Sequence, residues 1–494
     1  MSVIEKLQSI RSAGGNHLTQ GLPDEVITRF AETDPSLAEA IDAAPAAVKA
    51  LQEEFPDLMA MDEAEQLSVI EAGLVNFYAA DAVNPYVSLV ARGPWVITTK
   101  GAVLHDSGGY GMLGFGHVPE PILEAMSQPQ VMANVMTPNF SQYRLVQALR
   151  KEIGRNRDDG CPFNRFLAMN SGSESVEVAA RISDVNAKIM TDPGGRHEGK
   201  TIQKLSLGGG FHGRTARPAQ FSHSTRKSYT KHLASFRDKH DLITVEPNDM
   251  DALRATFARA DDEGVFIEAV FMEPVMGEGD PGKAVSPEFY ALARELSDAH
   301  GAVLLMDSIQ AGLRATGNLS VVDYPGYEGL PAPDMETYSK AMNAGQYPLS
   351  ILAMTDRAAE LYRTGVYGNT MTANPRAMDV GTAVLGMVED EVRENIVERG
   401  KEVLEKLQAL ADELNGPITK VQGTGLLFSV ELTPDYKAYG TGSLEEYMRL
   451  RGIGVIHGGE NSLRFTPHFR ITSQEVDLMV AQLKDAVLNG PKRS

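Results

Sequence analysis

Between residues 163 and 354 the chain repeats one pattern: a short apolar run, a turn of small or polar residues, then a stretch with helical spacing. The runs 163–169, 204–207, 265–272, 302–306 and 349–354 have strand length, and several lack the alternation of a half-exposed strand. Runs of that kind belong to strands covered on both faces. Helix signals lie between them. Ser286–Pro287 supplies an N-cap and a proline at the first helical position, and Gly301 closes that helix. Strands alternating with helices over such a length imply an α/β fold with a mostly parallel sheet. The same constraint points to function, because open α/β sheets bind ligands outside the C-terminal ends of their strands.

The rest of the chain organises around this block. Residues 1–83 read as a helical extension contacting a partner subunit, with 46–51 and 67–70 as pieces of short amphipathic helices. Residues 84–135 read as the N-terminal part of a small domain, 136–375 as the large domain, and 376–494 as the C-terminal part of the small one. After Pro375 one long helix is predicted, with Val380, Val384, Met387, Val388, Val392, Ile396, Val403, Leu407 and Leu410 on a single stripe. Thr472 and Glu475 have the spacing of a capping box for the last helix. The net charge of −20 over 494 residues argues against nucleic-acid or anionic-membrane partners, which need a basic face. One cysteine, Cys161, excludes an intrachain disulfide framework and a Cys-based zinc cluster, and no metal is expected. Neither a signal-peptide core nor an apolar run of roughly 20 residues is present, so the expectation is a cytoplasmic protein.

Four segments at the ends of the expected strands carry polar residues that packing does not require. Asn170–Ser171–Gly172–Ser173–Glu174 opens a helix near Ser175. Such a turn presents free N–H groups and a positive dipole end, which suits a phosphate, although an ordinary N-cap has the same letters. Gly208–Gly209–Gly210 leads into Phe211–His212–Gly213–Arg214–Thr215. Phe211 offers a ring to stack on a flat heterocycle and Arg214 a bidentate partner for an anionic group, while a glycine-rich loop with a surface arginine fits equally. Met306–Asp307–Ser308–Ile309–Gln310 puts a carboxylate at a strand end, where it either keeps a pyridine nitrogen protonated or caps a neighbouring helix. Tyr338–Ser339–Lys340 follows the short polar segment Pro333–Asp334–Met335–Glu336 and precedes another apolar run. A lysine between apolar segments is costly to bury unless its amine is neutralised or bonded, and a Schiff base does both.

In this order the motifs closely resemble those of the class III (ω-amino) aminotransferases, pyridoxal 5′-phosphate (PLP) enzymes of fold type I, from about Asn84 to Val487. The resemblance implies a large PLP-binding α/β domain and a smaller α+β domain built from N- and C-terminal segments. It assigns Ser171, Gly172 and Ser173 to the phosphate cup, and Phe211, with His212 beside it, to the coenzyme ring. Asp307 becomes the partner of the pyridine nitrogen, Gln310 the neighbour of the phenolic oxygen, and Lys340 the Schiff-base lysine. Glu273–Pro274–Val275–Met276–Gly277–Glu278 matches the family's Glu-Pro-x-x-Gly-Glu segment. Gly368–Asn369–Thr370–Met371–Thr372–Ala373–Asn374–Pro375 resembles the segment that lends a phosphate-binding threonine, here Thr370, to the other subunit of a homodimer. Arg464–Phe465–Thr466–Pro467 resembles the arginine motif that grips an α-carboxylate, and Arg214 is implied to meet a substrate carboxylate.

The implied activity is transfer of an amino group, from a terminal amine or an amino acid, to a 2-oxo acid such as 2-oxoglutarate or pyruvate. Arg464 and Glu278 suggest a charge switch, in which Glu278 neutralises the arginine when a substrate lacks an α-carboxylate. Aminomutase, racemase and decarboxylase chemistry uses the same lysine, aspartate and cup, so these motifs leave those reactions open. Ser308 departs from the family, standing where an acidic residue usually follows the ring-nitrogen aspartate, and the loop 341–346 is longer and poorer in glycine than usual.

Overall fold

The computed structural model describes residues 1–237 and 240–493. Its contacts divide the chain into two units. The larger comprises Pro121–Val397 and Gly423–Leu427; the smaller comprises Met1–Glu120, Glu398–Gln422 and the chain from Phe428 onward.

The larger unit is organised by seven strands, β1 (Arg165–Met169), β2 (Thr201–Leu207), β3 (Leu242–Val245), β4 (Val265–Met272), β5 (Val303–Asp307), β6 (Met335–Tyr338) and β7 (Ser350–Met354), in the order β1-β7-β6-β5-β4-β2-β3. Only β7 runs antiparallel to its neighbours. All eight residues of β4 are buried, which explains its unbroken apolar letters. Side chains alternate across the sheet. Ala269, Phe271, Val303, Leu305, Met335 and Leu352 share one core cluster with Val176, Ala179 and Ile182 of the helix Gly172–Thr191. By the same alternation Asp307 points to the side of that helix, whereas Met306 and Glu336, paired in register, point away from it.

Helix Pro287–His300 begins and ends as its sequence predicts. The Ser286 hydroxyl accepts from the Phe289 N–H, and Gly301 adopts φ +83°. Two expectations are corrected. The helix expected after Pro375 is two helices, Pro375–Met387 and Asp390–Leu414, separated at Val388 (φ −85°, ψ +74°). Most of the apolar stripe is still buried. The break falls after an exposed Gly386, and Asp390 and Glu391 provide the acidic first turn of a new helix. The second correction concerns 333–336, whose last two residues open the fully buried strand β6. Distant partners make that burial tolerable. Glu336 accepts from Ser308, Ser320 and the Val321 N–H at 2.5, 2.5 and 2.8 Å, and Asp334 pairs with Arg294 and Arg357 at 2.9 and 3.0 Å.

In the smaller unit, helix Pro35–Glu54 packs on the strands Ser88–Arg92 and Trp95–Thr98. Asp34 caps that helix through the Ser36 N–H and accepts from Trp95 Nε1 at 2.6 Å. Helix Ser473–Asn489 carries the expected capping box of Thr472 and Glu475. Among the described residues no helix is long and apolar enough to cross a membrane.

Candidate active site

Strands β1, β2, β4, β5 and β6 run the same way, so their C-terminal ends share one edge of the sheet. Each is followed by one of the polar segments singled out in the sequence. Asp307 ends β5 and is 3 % exposed. Its Oδ2 lies 2.9 Å from His212 Nδ1, and its Oδ1 accepts from the Ile309 N–H at 3.2 Å. The His212 backbone N–H donates to Ser222 Oγ at 2.9 Å, and its ring stands edge-on to Phe271. His212 Nε2 is buried and has no hydrogen-bond partner among the described residues.

Lys340 follows β6 in a turn with φ +48°, a left-handed conformation uncommon for a non-glycine residue. Its amine donates to Gln310 Oε1, while Gln310 Nε2 is buried and without a partner among the described residues. Strain at one lysine, together with two orphaned buried nitrogens, is the pattern of a site shaped for a ligand.

Glu273 follows β4 and is also buried. It accepts from the Phe211 N–H at 3.0 Å and the Gly277 N–H at 2.8 Å. Burial raises its pKa to about 7, helped by the charge of Asp307 and opposed by His212 and the two N–H groups. Gly277 in turn lies against Gln310, where a Cβ would meet Gln310 Cγ at 2.6 Å.

The turn after β1 is an N-terminal helix cap. Ser171 Oγ accepts from the Glu174 N–H at 3.3 Å. Ser173 Oγ accepts from the N–H groups of Arg214 and Thr215 at 3.0 and 3.1 Å, stitching this turn to the 211–215 loop. Gly213 is required there, since its φ is +111° and a Cβ would fall 2.4 Å from Ser173 Oγ. A Cβ on Gly172 would meet Ile309 Cδ1 at 2.5 Å, so the cup closes tightly over the segment after β5.

Not every expected residue joins this group. Phe211 is half-buried, and the exposed Arg214 holds its guanidinium carbon 5.4 Å from the Phe211 ring centre. Glu278 is half-buried next to Gly277, and Thr370 is exposed in the 368–372 segment. Arg464 belongs to the smaller unit, buried on the strand Ser462–Phe465 opposite Ser429 and Ile456. Two residues without an expected role stand out, Glu273 and Glu174. The rule applied to Asp307, a carboxylate at the end of a buried strand, was enough to find Glu273. Glu174 carries no comparable signal, because its partners lie far along the chain.

The family model for class-III aminotransferases matches residues 77–487. The chain belongs to this family. An ornithine aminotransferase of Staphylococcus aureus is 28 % identical over 418 residues, which is 83 % of this chain and 97 % of the relative. Among solved structures, the ornithine aminotransferase of Toxoplasma gondii superposes with a TM-score of 0.73 at 22 % identity, covering 88 % of this chain and 98 % of the other. The acetylornithine aminotransferase of Elizabethkingia anophelis gives 0.68 at 23 %, covering 86 % and 99 %. These two likenesses establish fold type I.

As a class-III aminotransferase the protein uses PLP to move an amino group to a 2-oxo acid. The residues at the sheet edge fit that coenzyme chemically. The capped N-terminus of a 20-residue helix suits a phosphate, a buried carboxylate suits a ring nitrogen, and the two unpartnered nitrogens have polar bonds to give.

Proposed function

We propose that Lys340 holds the coenzyme covalently and moves the reacting proton, in a site completed by Asp307, His212, Gln310, Phe211 and the turn Ser171–Gly172–Ser173. One observation carries this reading: a lysine amine, a histidine-bound buried carboxylate and two unpartnered buried nitrogens follow parallel strands at one sheet edge. Bound PLP supplies an electron sink for the charge that develops when the amino-bearing carbon of the substrate loses its proton. Asp307, oriented by His212 and the Ile309 N–H, keeps the ring nitrogen protonated. Gln310 orients the Lys340 amine, and it and His212 each keep a nitrogen for the coenzyme's polar edge. Phe211 covers a ring face and excludes water. The Lys340 amine, freed when the incoming amine takes its place, would move the proton from the substrate carbon to the bound coenzyme rather than back to that carbon.

The amino donor is a compound with a terminal amine, and a diamino acid of the ornithine kind is the first candidate because the sequence relatives include ornithine aminotransferases. Arg464 is the candidate grip for an α-carboxylate, Arg214 is the candidate partner of a substrate carboxylate, and Glu278 is a further candidate substrate-binding residue. The acceptor is 2-oxoglutarate or pyruvate. The working form is a cytoplasmic homodimer in which Thr370 reaches the partner's phosphate. Exposed Val131, Met132, Val135 and Met136, joined to the Thr370 segment by the bond from the Val135 N–H to the Thr372 carbonyl (3.2 Å), support that assembly.

The test is a half-reaction. Ornithine added to the yellow protein without any 2-oxo acid bleaches the visible coenzyme band and releases carbonyl product, and 2-oxoglutarate restores the colour. A band that shifts but never bleaches overturns the transfer assignment. Bleaching that survives Lys340→Ala overturns the role of the lysine.

A further inference from the structure

The first turn of the helix Gly172–Thr191 does more than end in a cup. Glu174, three residues past the cap, uses one carboxylate oxygen to accept from the Asn170 N–H at 2.8 Å and from the Asn170 side-chain amide at 3.2 Å. Its other oxygen accepts from the Tyr367 hydroxyl and from the Asn369 side-chain amide. Asn369 extends this network. Its carbonyl oxygen accepts from the Asn170 amide at 3.3 Å and from the Met371 N–H at 2.8 Å, and its backbone carbonyl from the Thr372 N–H at 3.2 Å. Two turns further on, Arg181 donates to the Val366 carbonyl at 2.6 Å and sets its guanidinium over the Tyr367 ring at 5.5 Å. The Ala373 N–H closes the far end of the segment on the Ala168 carbonyl of β1 at 3.0 Å. Thr370 is thus held on one side by the helix that begins at the phosphate cup and on the other by the strand that ends there, while its own side chain stays exposed.

We propose that Glu174 is a positioning residue which sets the 367–372 segment, and with it Thr370, from the first turn of its own subunit's phosphate cup, so that each cup governs the threonine lent to the partner's site. The proposal rests on the reading above that Thr370 reaches the partner's phosphate. Its sign distinguishes it from plain electrostatics. A carboxylate beside a phosphate-binding helix N-terminus opposes the anion, so removing the Glu174 charge should tighten coenzyme binding if charge were all that mattered. If Glu174 instead holds the lent segment, removing the charge weakens binding, and does so in the other subunit.

Mixed dimers read this directly. One subunit carries Lys340→Ala together with Glu174→Gln, and the other is unaltered. The only lysine able to hold PLP then sits in the unaltered subunit, which keeps its own cup and borrows Thr370 from the altered one. PLP affinity at that site, followed by the visible band of lysine-bound coenzyme, should fall about tenfold relative to a mixed dimer carrying Lys340→Ala alone, the scale of one charge-assisted hydrogen bond. Tyr367→Phe in place of Glu174→Gln removes only a hydroxyl and should act in the same direction. In coenzyme-free protein both substitutions should speed amide hydrogen exchange across 367–372. Thr370→Ala in the Lys340→Ala subunit separates the two layers of argument. If it leaves affinity unchanged, the lending itself is refuted and the proposal falls with it. If it weakens binding while Glu174→Gln and Tyr367→Phe do not, or if Glu174→Gln tightens it, the positioning role alone is overturned.

Discussion

Two buried histidine–carboxylate clusters, one in each unit, share a histidine-to-carboxylate distance of 2.9 Å and differ in what they leave unsatisfied. In the smaller unit His105 Nε2 and His468 Nε2 both lie 2.9 Å from Glu475 Oε1, and His105 Nδ1 lies 2.8 Å from Ser107 Oγ. Glu475 Oε2 accepts from the Thr472 N–H and hydroxyl, each at 2.7 Å. In the larger unit His212 Nδ1 meets Asp307 at the same 2.9 Å, but His212 Nε2 has nothing to bond among the described residues. Glu475 of the first cluster and Glu273 beside the second also diverge. Burial pushes Glu475 up, yet the charge of His468 and the bonds from both histidines outweigh it and hold Glu475 well below the ordinary carboxylate range. Burial wins at Glu273, which lacks such a bond and has Asp307 close by. A cluster closed on itself stabilises the fold; one with bonds to spare is shaped for something else.

The largest effect that could break this distinction concerns the open cluster. On the roles proposed for them, Lys340→Ala or Asp307→Ala should lower kcat/KM by about 10⁴ or more, the scale of losing a proton-moving group or its electrostatic support. Thermal unfolding of the coenzyme-free protein should change far less. If either variant kept a tenth of the activity, the sheet edge would not be the reacting centre.

The closed cluster should behave in the opposite way. Glu475→Ala leaves two buried imidazoles without their acceptor and removes the capping box, so it should cost about 3–5 kcal/mol of stability at pH 7, with turnover per folded molecule retained. Because the folded pKa of Glu475 is depressed, its contribution is present above the ordinary value of 4.5 and is lost as pH falls through the folded pKa. Urea unfolding of the two proteins should therefore converge in acid. A constant gap down to pH 3.5 would mean that packing, not charge, accounts for the loss.

The contrast also shows what sequence can and cannot display. Strand β4 and the helix Pro287–His300 are legible because their signals are local: unbroken apolar letters, Ser-Pro at one end and glycine at the other. Asp307, Lys340 and the Asn170–Glu174 turn are legible for a related reason, each sitting where a strand stops. What stays hidden depends on partners distant in the chain. Glu336 reads only as part of a short polar segment until Ser308 and Ser320 arrive to bond it. Glu174 looks like one more polar residue of the turn, although Tyr367, which completes it, is 193 residues away. The helix break at Val388 escapes because the apolar stripe continues through it.

The smallest effect sharpens the comparison most, because it reverses a sign. The folded pKa of Glu273 is raised from 4.5 to about 7. Stability linked to such a group is fully present below the unfolded value and is lost as pH rises through the folded one, so above neutrality Glu273 works against the fold. Glu273→Gln keeps an acceptor for the Phe211 N–H and loses the one for Gly277, offsetting part of the gain. The coenzyme-free variant should be more stable than the parent by about 1–2 kcal/mol at pH 8, with the advantage gone by pH 4.5. Denaturant titrations at those two pH values decide it. A variant less stable than the parent at pH 8 would make Glu273 a satisfied structural acid like Glu475. A gain at pH 8 that disappears in acid would identify a carboxyl held against its own stability at the sheet edge that carries Asp307, His212 and Lys340.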